Sequence, residues 1–318
     1  MRNIKRRLSS LLFCLLACIL VMSVPAQAAG AVDTEAKCSL SISFSPDGEP
    51  ASGVEFHLYR IGDMAVNGDF TLLSPFDDYP VSIEDLEPDG WRLLASTLQG
   101  YIAADSLKAD ETAHTDAEGQ AVWEDLPVGL YLVMGESYVS NHKVYTQQPF
   151  ILSLPSREED DSWNYRVKAE CKYESAPDGG AIDLEVLKVW KDEDNTDRPG
   201  SITVELYDGN TLYDTAELSA ANNWEHQWKG LYGNGNWTVK EKSALPGYTV
   251  TVEKQGNRFV VTNEATEEIP DDPTPGENLP QTGMLWWPVP VLAIAGLTLF
   301  TVGMVRYNKR KKNHDPQE

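Results

Sequence analysis

Side chains that carry chemistry are scarce in this chain. It holds 4 cysteines and 5 histidines in 318 residues. His57, His114, His142 and His226 stand far apart with no metal-ligand spacing. No Gly-x-Ser-x-Gly elbow occurs either. Nothing therefore argues for an enzyme, a metal site or a cofactor. Basic charge is also scarce, with 26 Lys and Arg against 49 Asp and Glu and a net charge of −23. The imbalance deepens away from the ends. Four of the 26 basic residues precede Leu8 and 5 follow Val305, so 17 remain against 47 of the 49 acids, near −30. Such a surface excludes nucleic acid, and anionic membrane or teichoic acid, as the main partner. Long apolar runs are missing from the interior and appear only at the two ends.

The first of these, Leu8 to Val24, follows Arg2, Lys5, Arg6 and Arg7 and precedes Ala26-Gln27-Ala28. Basic, apolar and small-residue segments in that order predict a signal peptide over residues 1–28. The second, Met284 to Val305, is uncharged and long enough to span a bilayer as a helix. Trp286 and Trp287 mark its outer end, and the cluster from Arg306 to Lys312 predicts a cytoplasmic tail over residues 306–318.

Directly before that span stand Leu279-Pro280-Gln281-Thr282-Gly283. Pentapeptide, span and basic tail together resemble the cell-wall sorting signal of Gram-positive LPxTG surface proteins. The resemblance implies that sortase cleaves between Thr282 and Gly283 and passes the Thr282 carboxyl to an amine. That amine belongs to a peptidoglycan precursor or to a neighbouring subunit. The implied location is the cell wall, reached through a precursor that spans the membrane. Cys14 and Cys18 would leave with the signal peptide. In the oxidising exterior Cys38 and Cys171, each in a strand-like segment, read as one disulfide, the alternative being two buried thiols.

Pro- and acid-rich residues 265–278 read as an extended linker, and Ser175 to Gly180 as a turn-rich hinge. They leave two regions, residues 29–175 and 181–264. The fold class expected is all-β, two tandem Ig-like sandwiches, the first with a short helical insertion. Cys38 to Phe44 and Val54 to Tyr59 alternate as strands do, with further strands expected over Gly129–Met134, Val144–Leu154 and Trp163–Tyr173. Trp91, Leu94, Ala95, Leu98 and Ile102 recur at helical spacing, predicting an amphipathic helix capped by Asp89.

The first region resembles the N-terminal domain of sortase-assembled pilins. The residues that carry the resemblance are Gly53 to Tyr59, Gly129 to Val133, Pro149 to Pro155 and Trp163-Asn164-Tyr165. It implies a candidate pilin lysine at Lys172, although Glu170, Cys171 and Tyr173 depart from the residues that flank such a lysine in backbone pilins. The second region resembles a Cna B-type domain through Leu187 to Trp190, Arg198 to Leu206, Trp224 to Trp228, Trp237 to Glu241 and Phe259 to Asn263. The implied chemistry is an intramolecular isopeptide bond between Lys188 and Asn263, promoted by Glu241, with Glu205 the rival carboxylate. The plainer alternative is a surface lysine and a strand-ending asparagine. In the first region no lysine lies on the first strand, and Gly135 holds the place of the promoting Glu, with Glu136 displaced by one. Cys38 and Cys171 are expected to tie first strand to last there. The acidic run from Asp192 to Asp197 carries oxygen ligands suited to Ca²⁺ but lacks the EF-hand spacing and reads as an ordinary loop. The implied role is a sortase-anchored structural protein of the pilin-like kind. A monomeric adhesin for a host matrix protein or glycan is the alternative.

Overall fold

Strict alternation of apolar and polar residues produces the opening strand, β1 (Cys38–Ser43), whose residues are alternately buried and half-exposed. The computed structural model describes residues 30–192 and 198–266. The expected signal peptide, sorting motif, membrane span and tail lie outside the described residues, as does nearly all of the linker. After β1 come β2 (Glu55–Met64), β3 (Phe70–Leu72), the helix α1 (Pro88–Asp105), β4 (Glu111–His114), β5 (Gln120–Leu126) and β6 (Gly129–Gly135). β7 (Tyr138–Ser140), β8 (Lys143–Gln147), β9 (Phe150–Leu154), β10 (Ser156–Arg157), β11 (Trp163–Asn164), β12 (Arg166–Glu170) and β13 (Tyr173–Pro177) complete the first region. The second contains β14 (Ala181–Lys191), β15 (Ser201–Asp208), β16 (Thr211–Ser219), β17 (Glu225–Tyr232), β18 (Trp237–Glu241), β19 (Tyr248–Gln255) and β20 (Arg258–Ala265).

Two of the expected strands divide. Val144–Leu154 becomes β8 and β9, which join different sheets, because Pro149 lacks the N–H that a continuous ladder would use. Trp163–Tyr173 becomes β11, β12 and the start of β13. Half of the expected hinge is strand: Tyr173–Pro177 pairs with β8, which leaves Asp178 to Gly180 as the turn between the regions. All described residues belong to one compact unit.

The first region packs the sheet β12-β1-β5 against the sheet β3-β2-β6-β9. Leu40, Ile42, Phe44, Phe56, Leu58 and Val133 fill the space between them, each fully buried. β6 is buried on both faces, as its unbroken apolar run Leu130 to Val133 requires. One face meets that core; the other meets α1, where Leu94, Ala95, Leu98 and Ile102 pack on Ile61, Leu130 and Leu132. The helix therefore uses the predicted stripe. Its start is corrected: Glu87 is the N-cap residue, Pro88 occupies the first turn, and Asp89 lies within the helix beside Arg92 at 3.7 Å. A proline with φ already helical begins the helix without a side-chain cap.

The second region stacks β17-β14-β20-β19 on β16-β15-β18 around a core of its own. The edges β18 and β19 lie against α1. Unpaired N–H groups of β19 find partners on the helix and the segment before it: Val250 donates to the Pro80 carbonyl at 2.7 Å and Val252 to Thr97 Oγ1 at 2.8 Å. Arg92 adds an ion pair to Glu253 at 2.9 Å. On β18 the backbone comes so close that a Cβ on Gly100 would stand 2.7 Å from the Val239 carbonyl oxygen. The helix thus covers strand edges that would otherwise be open to another chain.

The disulfide expectation is overturned. Cys38 and Cys171 are free and buried. β1 and β12 run parallel, with Ser39 opposite Arg166 and Ser43 opposite Glu170. Cys38 and Cys171 therefore lie at opposite ends of the pair, about six residues or ~20 Å apart at 3.3 Å per residue, where a bridge needs about 4.4–6.8 Å between Cα atoms. Burial pushes the Cys38 thiol up to about 11 and that of Cys171 up to about 12, so both stay protonated and inert.

In the unreduced, denatured protein both Cys38 and Cys171 are expected to alkylate. Peptide mapping that returned the two as a linked pair would contradict the register. Thr97→Val, which strands the Val252 N–H beside the helix, should lower unfolding free energy by about 1–3 kcal/mol. Denaturant titration measures the loss, and exchange of the Val252 amide locates it.

Candidate functional site: a buried Lys–Glu–Asn cluster

Alternation on β14 makes Leu184, Val186 and Lys188 face the core of the second sandwich. On β20 the same periodicity directs Phe259, Val261 and Asn263 inward, and on β18 it does so for Trp237, Val239 and Glu241. Each strand thus ends an apolar series with one polar residue, and the three polar residues meet. Lys188 is 4% exposed, Glu241 2% and Asn263 0%. β14 and β20 are parallel, with Lys188 opposite Val261 and Trp190 opposite Asn263. Glu241 approaches from the other sheet: its Oε2 is 3.8 Å from Lys188 Nζ, and its Oε1 accepts from Asn263 Nδ2 at 3.1 Å.

The cluster is under-satisfied. Asn263 Oδ1 and Glu241 Oε2 are buried without a hydrogen-bond partner. Lys188 Nζ donates to the Val189 and Val261 carbonyls at 3.0 and 3.4 Å and lies 4.2 Å from the centre of the Trp190 ring. Burial lowers the Lys188 pKa to about 7, against the opposing pull of Glu241 and Asp192. Burial raises that of Glu241, while Lys188 and the Asn263 amide oppose the rise. A low-dielectric site penalises the ammonium and the carboxylate alike, so the pair is pushed towards neutral amine and neutral acid. An amine nucleophile, an amide and a proton donor thus lie together in one buried cluster.

Glu205 does not join them. One step of alternation turns it to the opposite face of its sheet, where it accepts from the Tyr207 hydroxyl at 2.8 Å and lies 3.7 Å from Lys242. Asp192, the described end of the acidic run, holds Arg198 and accepts from Tyr248 at 2.8 Å, beside Trp190. The rest of that run lies outside the described residues, and among the described residues no group of acidic, His or Cys side chains is placed to hold a metal.

In the first sandwich the corresponding chemistry has different neighbours. Glu136 bonds His57 at 3.0 Å, and a Cβ on Gly135 would strike the Phe56 ring at 2.7 Å. Lys172 is exposed in the short link between β12 and β13, where its carbonyl accepts from Gln148 N at 2.9 Å. Sequence reasoning missed the second working face of α1: Thr97 and Tyr101 are buried against the second sandwich, Tyr101 with Lys240 Nζ 5.2 Å from its ring centre. The available signal was Gly100, a glycine inside a helical pattern, which usually marks close packing.

A collagen adhesin of Staphylococcus aureus is 29% identical over 218 residues, which is 58% of this chain and 18% of the adhesin. The chain thus spans less than a fifth of that relative's length. Among solved structures, a single B repeat unit of the collagen-binding surface protein of Staphylococcus aureus is 22% identical. The alignment covers 73% of this chain and 98% of that one, with a TM-score of 0.26. The full-length major pilin SpaD of Corynebacterium diphtheriae is 18% identical over 75% of this chain and 66% of the pilin, with a TM-score of 0.31. Residues 184–264, which contain Lys188, Glu241 and Asn263, match the family model of the Cna protein B-type domain.

Proposed function

We propose that the protein is a sortase-anchored, cell-surface structural protein whose second sandwich closes itself with a Lys188–Asn263 isopeptide bond. The observation that carries this reading is the buried meeting of Lys188, Glu241 and Asn263 in a match to the Cna B-type domain. The neutral Lys188 amine attacks Asn263 Cγ, and a proton from Glu241 neutralises the developing oxyanion on Oδ1. Half a turn of the Asn263 amide brings Oδ1 to the position from which Nδ2 now meets Glu241 Oε1. Collapse of the tetrahedral intermediate breaks the Cγ–Nδ2 bond. The nitrogen leaves as ammonia, with Glu241 carrying the protons between the amine and the leaving group. The bond replaces a buried amine and a buried amide by one neutral amide and removes the desolvation penalty on Lys188.

Anchoring follows from Leu279-Pro280-Gln281-Thr282-Gly283, with Thr282 the acyl donor and sortase the partner. In the pilin-like reading the acceptor amine is the exposed Lys172 of a neighbouring subunit; otherwise it belongs to a peptidoglycan precursor. The likeness to a collagen adhesin favours a second reading, a monomeric adhesin for a host matrix protein or glycan.

Cross-linking should lower the mass by one ammonia, about 17 Da, and Glu241→Ala should restore it. Intact mass measures both, and an unshifted wild-type mass would remove the claim. The reactive species is the singly protonated pair. The rate should therefore fall in acid, where Lys188 takes up a proton, and in alkali, where Glu241 loses its own. For the anchor, cell-wall extracts should give an SDS-resistant ladder that Lys172→Ala collapses to monomer; a ladder that survives the substitution rules out that lysine.

A further inference from the structure

The buried cluster lies close to the surface where the two regions meet. Glu241 is the last residue of β18, and β18 is the edge strand covered by α1. Gly100 brings the helix backbone against the Val239 carbonyl, two residues before Glu241. Tyr101 and Asp105 engage Lys240, the immediate neighbour of Glu241, at 5.2 Å from the ring centre and 4.0 Å from the carboxylate. Tyr101 is 6% exposed, stacks on Tyr79 at 4.3 Å, and is close enough that the Glu241 charge, after burial, is the next cause of its raised pKa. Every one of these contacts comes from the first region.

We propose that α1 is a positioning element for the reaction of the second sandwich: docking of Gly100 and Tyr101 on β18 covers the Glu241 end of the buried cluster, so the isopeptide bond forms efficiently only when the regions are docked. The proposal rests on the cross-linking reading above. The physics is that of water exclusion. Glu241 faces Lys188 and Asn263 from β14 and β20, with Tyr101 and Asp105 on the helix side; Lys188 also feels Asp192 and Arg198. If water enters beside Glu241, the ion pair of ammonium and carboxylate is favoured over the neutral pair, and the reactive tautomer becomes rare. The first sandwich would thereby act on the chemistry of the second and limit bond formation to chains in which both have folded.

The test is a time course of cross-link formation in the full chain after a pulse of cell-free synthesis, read as the peptide that joins Lys188 to Asn263. Gly100→Leu and Tyr101→Ala should slow it about tenfold or more, the cost of a misplaced catalytic group. Their rate should also be flat across neutral pH, where the wild type is bell-shaped. Tyr101→Phe, which keeps the ring over Lys240, should retain the wild-type rate and profile. Amide exchange of β14 and β20 reports in parallel whether the second sandwich is folded. Wild-type rates in both Gly100→Leu and Tyr101→Ala would overturn the proposal. Slowing that accompanies lost protection of β14 and β20 would overturn it too, because the helix would then act on folding and not on the site. If Gly100→Leu fails to fold, Tyr101→Ala decides, since it leaves the glycine contact and the Thr97 hydrogen bond intact. A wild-type chain that never cross-links would instead defeat the underlying reading.

Discussion

Parallel pairing of the first strand with a strand near the end of the region governs both sandwiches. β1 lies beside β12 and β14 beside β20, each joined by a ladder whose register is set by the need to bury every second side chain. In the second sandwich that register brings Lys188 and Asn263 to the same end of the pair, one on each strand, and the core-facing alternation turns both towards Glu241. In the first, the same arrangement carries Cys38 and Cys171 to opposite ends. A single rule of strand pairing thus gathers three buried polar residues in one region and forbids a bridge in the other.

What was legible in the sequence follows the same division. β1, β2, β6, the helical stripe and the three polar residues of the cluster are all local signals: alternation, helical spacing, or a polar residue ending an apolar series. Such signals survive because each depends only on which face of its own element a residue occupies. The failures are relational. Whether the strand that holds Cys38 runs parallel or antiparallel to the one leading to Cys171 cannot be read from either strand. The hinge is shorter than expected for a similar reason, since Tyr173–Pro177 becomes a strand only because β8 offers it an edge, and Asp178 to Gly180 remain as the turn. Glu205 and Glu241 lie between these cases. Both are acidic residues in strands of one sheet, and a single step of alternation separates the buried cluster from the outer face.

The helix is a second relational feature. Its apolar stripe accounts for the packing on β2 and β6, yet Thr97, Gly100 and Tyr101 are chosen for a different neighbour. Thr97 caps an open N–H of β19, Gly100 clears a carbonyl of β18, and Tyr101 covers Lys240. Small, polar and aromatic residues interleaved with the stripe make α1 a shared element of two cores. Two sequence-adjacent sandwiches become one unit with three residues, Asp178 to Gly180, between their strands.

The parallel strand pairs have a mechanical corollary. The chain enters β1 at Cys38 and leaves β12 at Glu170, at opposite ends of the ladder. Tension applied along the chain therefore slides one strand past the other, and the hydrogen bonds between them share the load instead of opening one at a time. The first sandwich, with no covalent tie between Cys38 and Cys171, would meet a pulling force as a shear clamp, its lifetime set by the unfolding barrier. The second, under the proposed Lys188–Asn263 bond, would carry the same force through a covalent link. One protein would then contain a yielding element and an inextensible one in series.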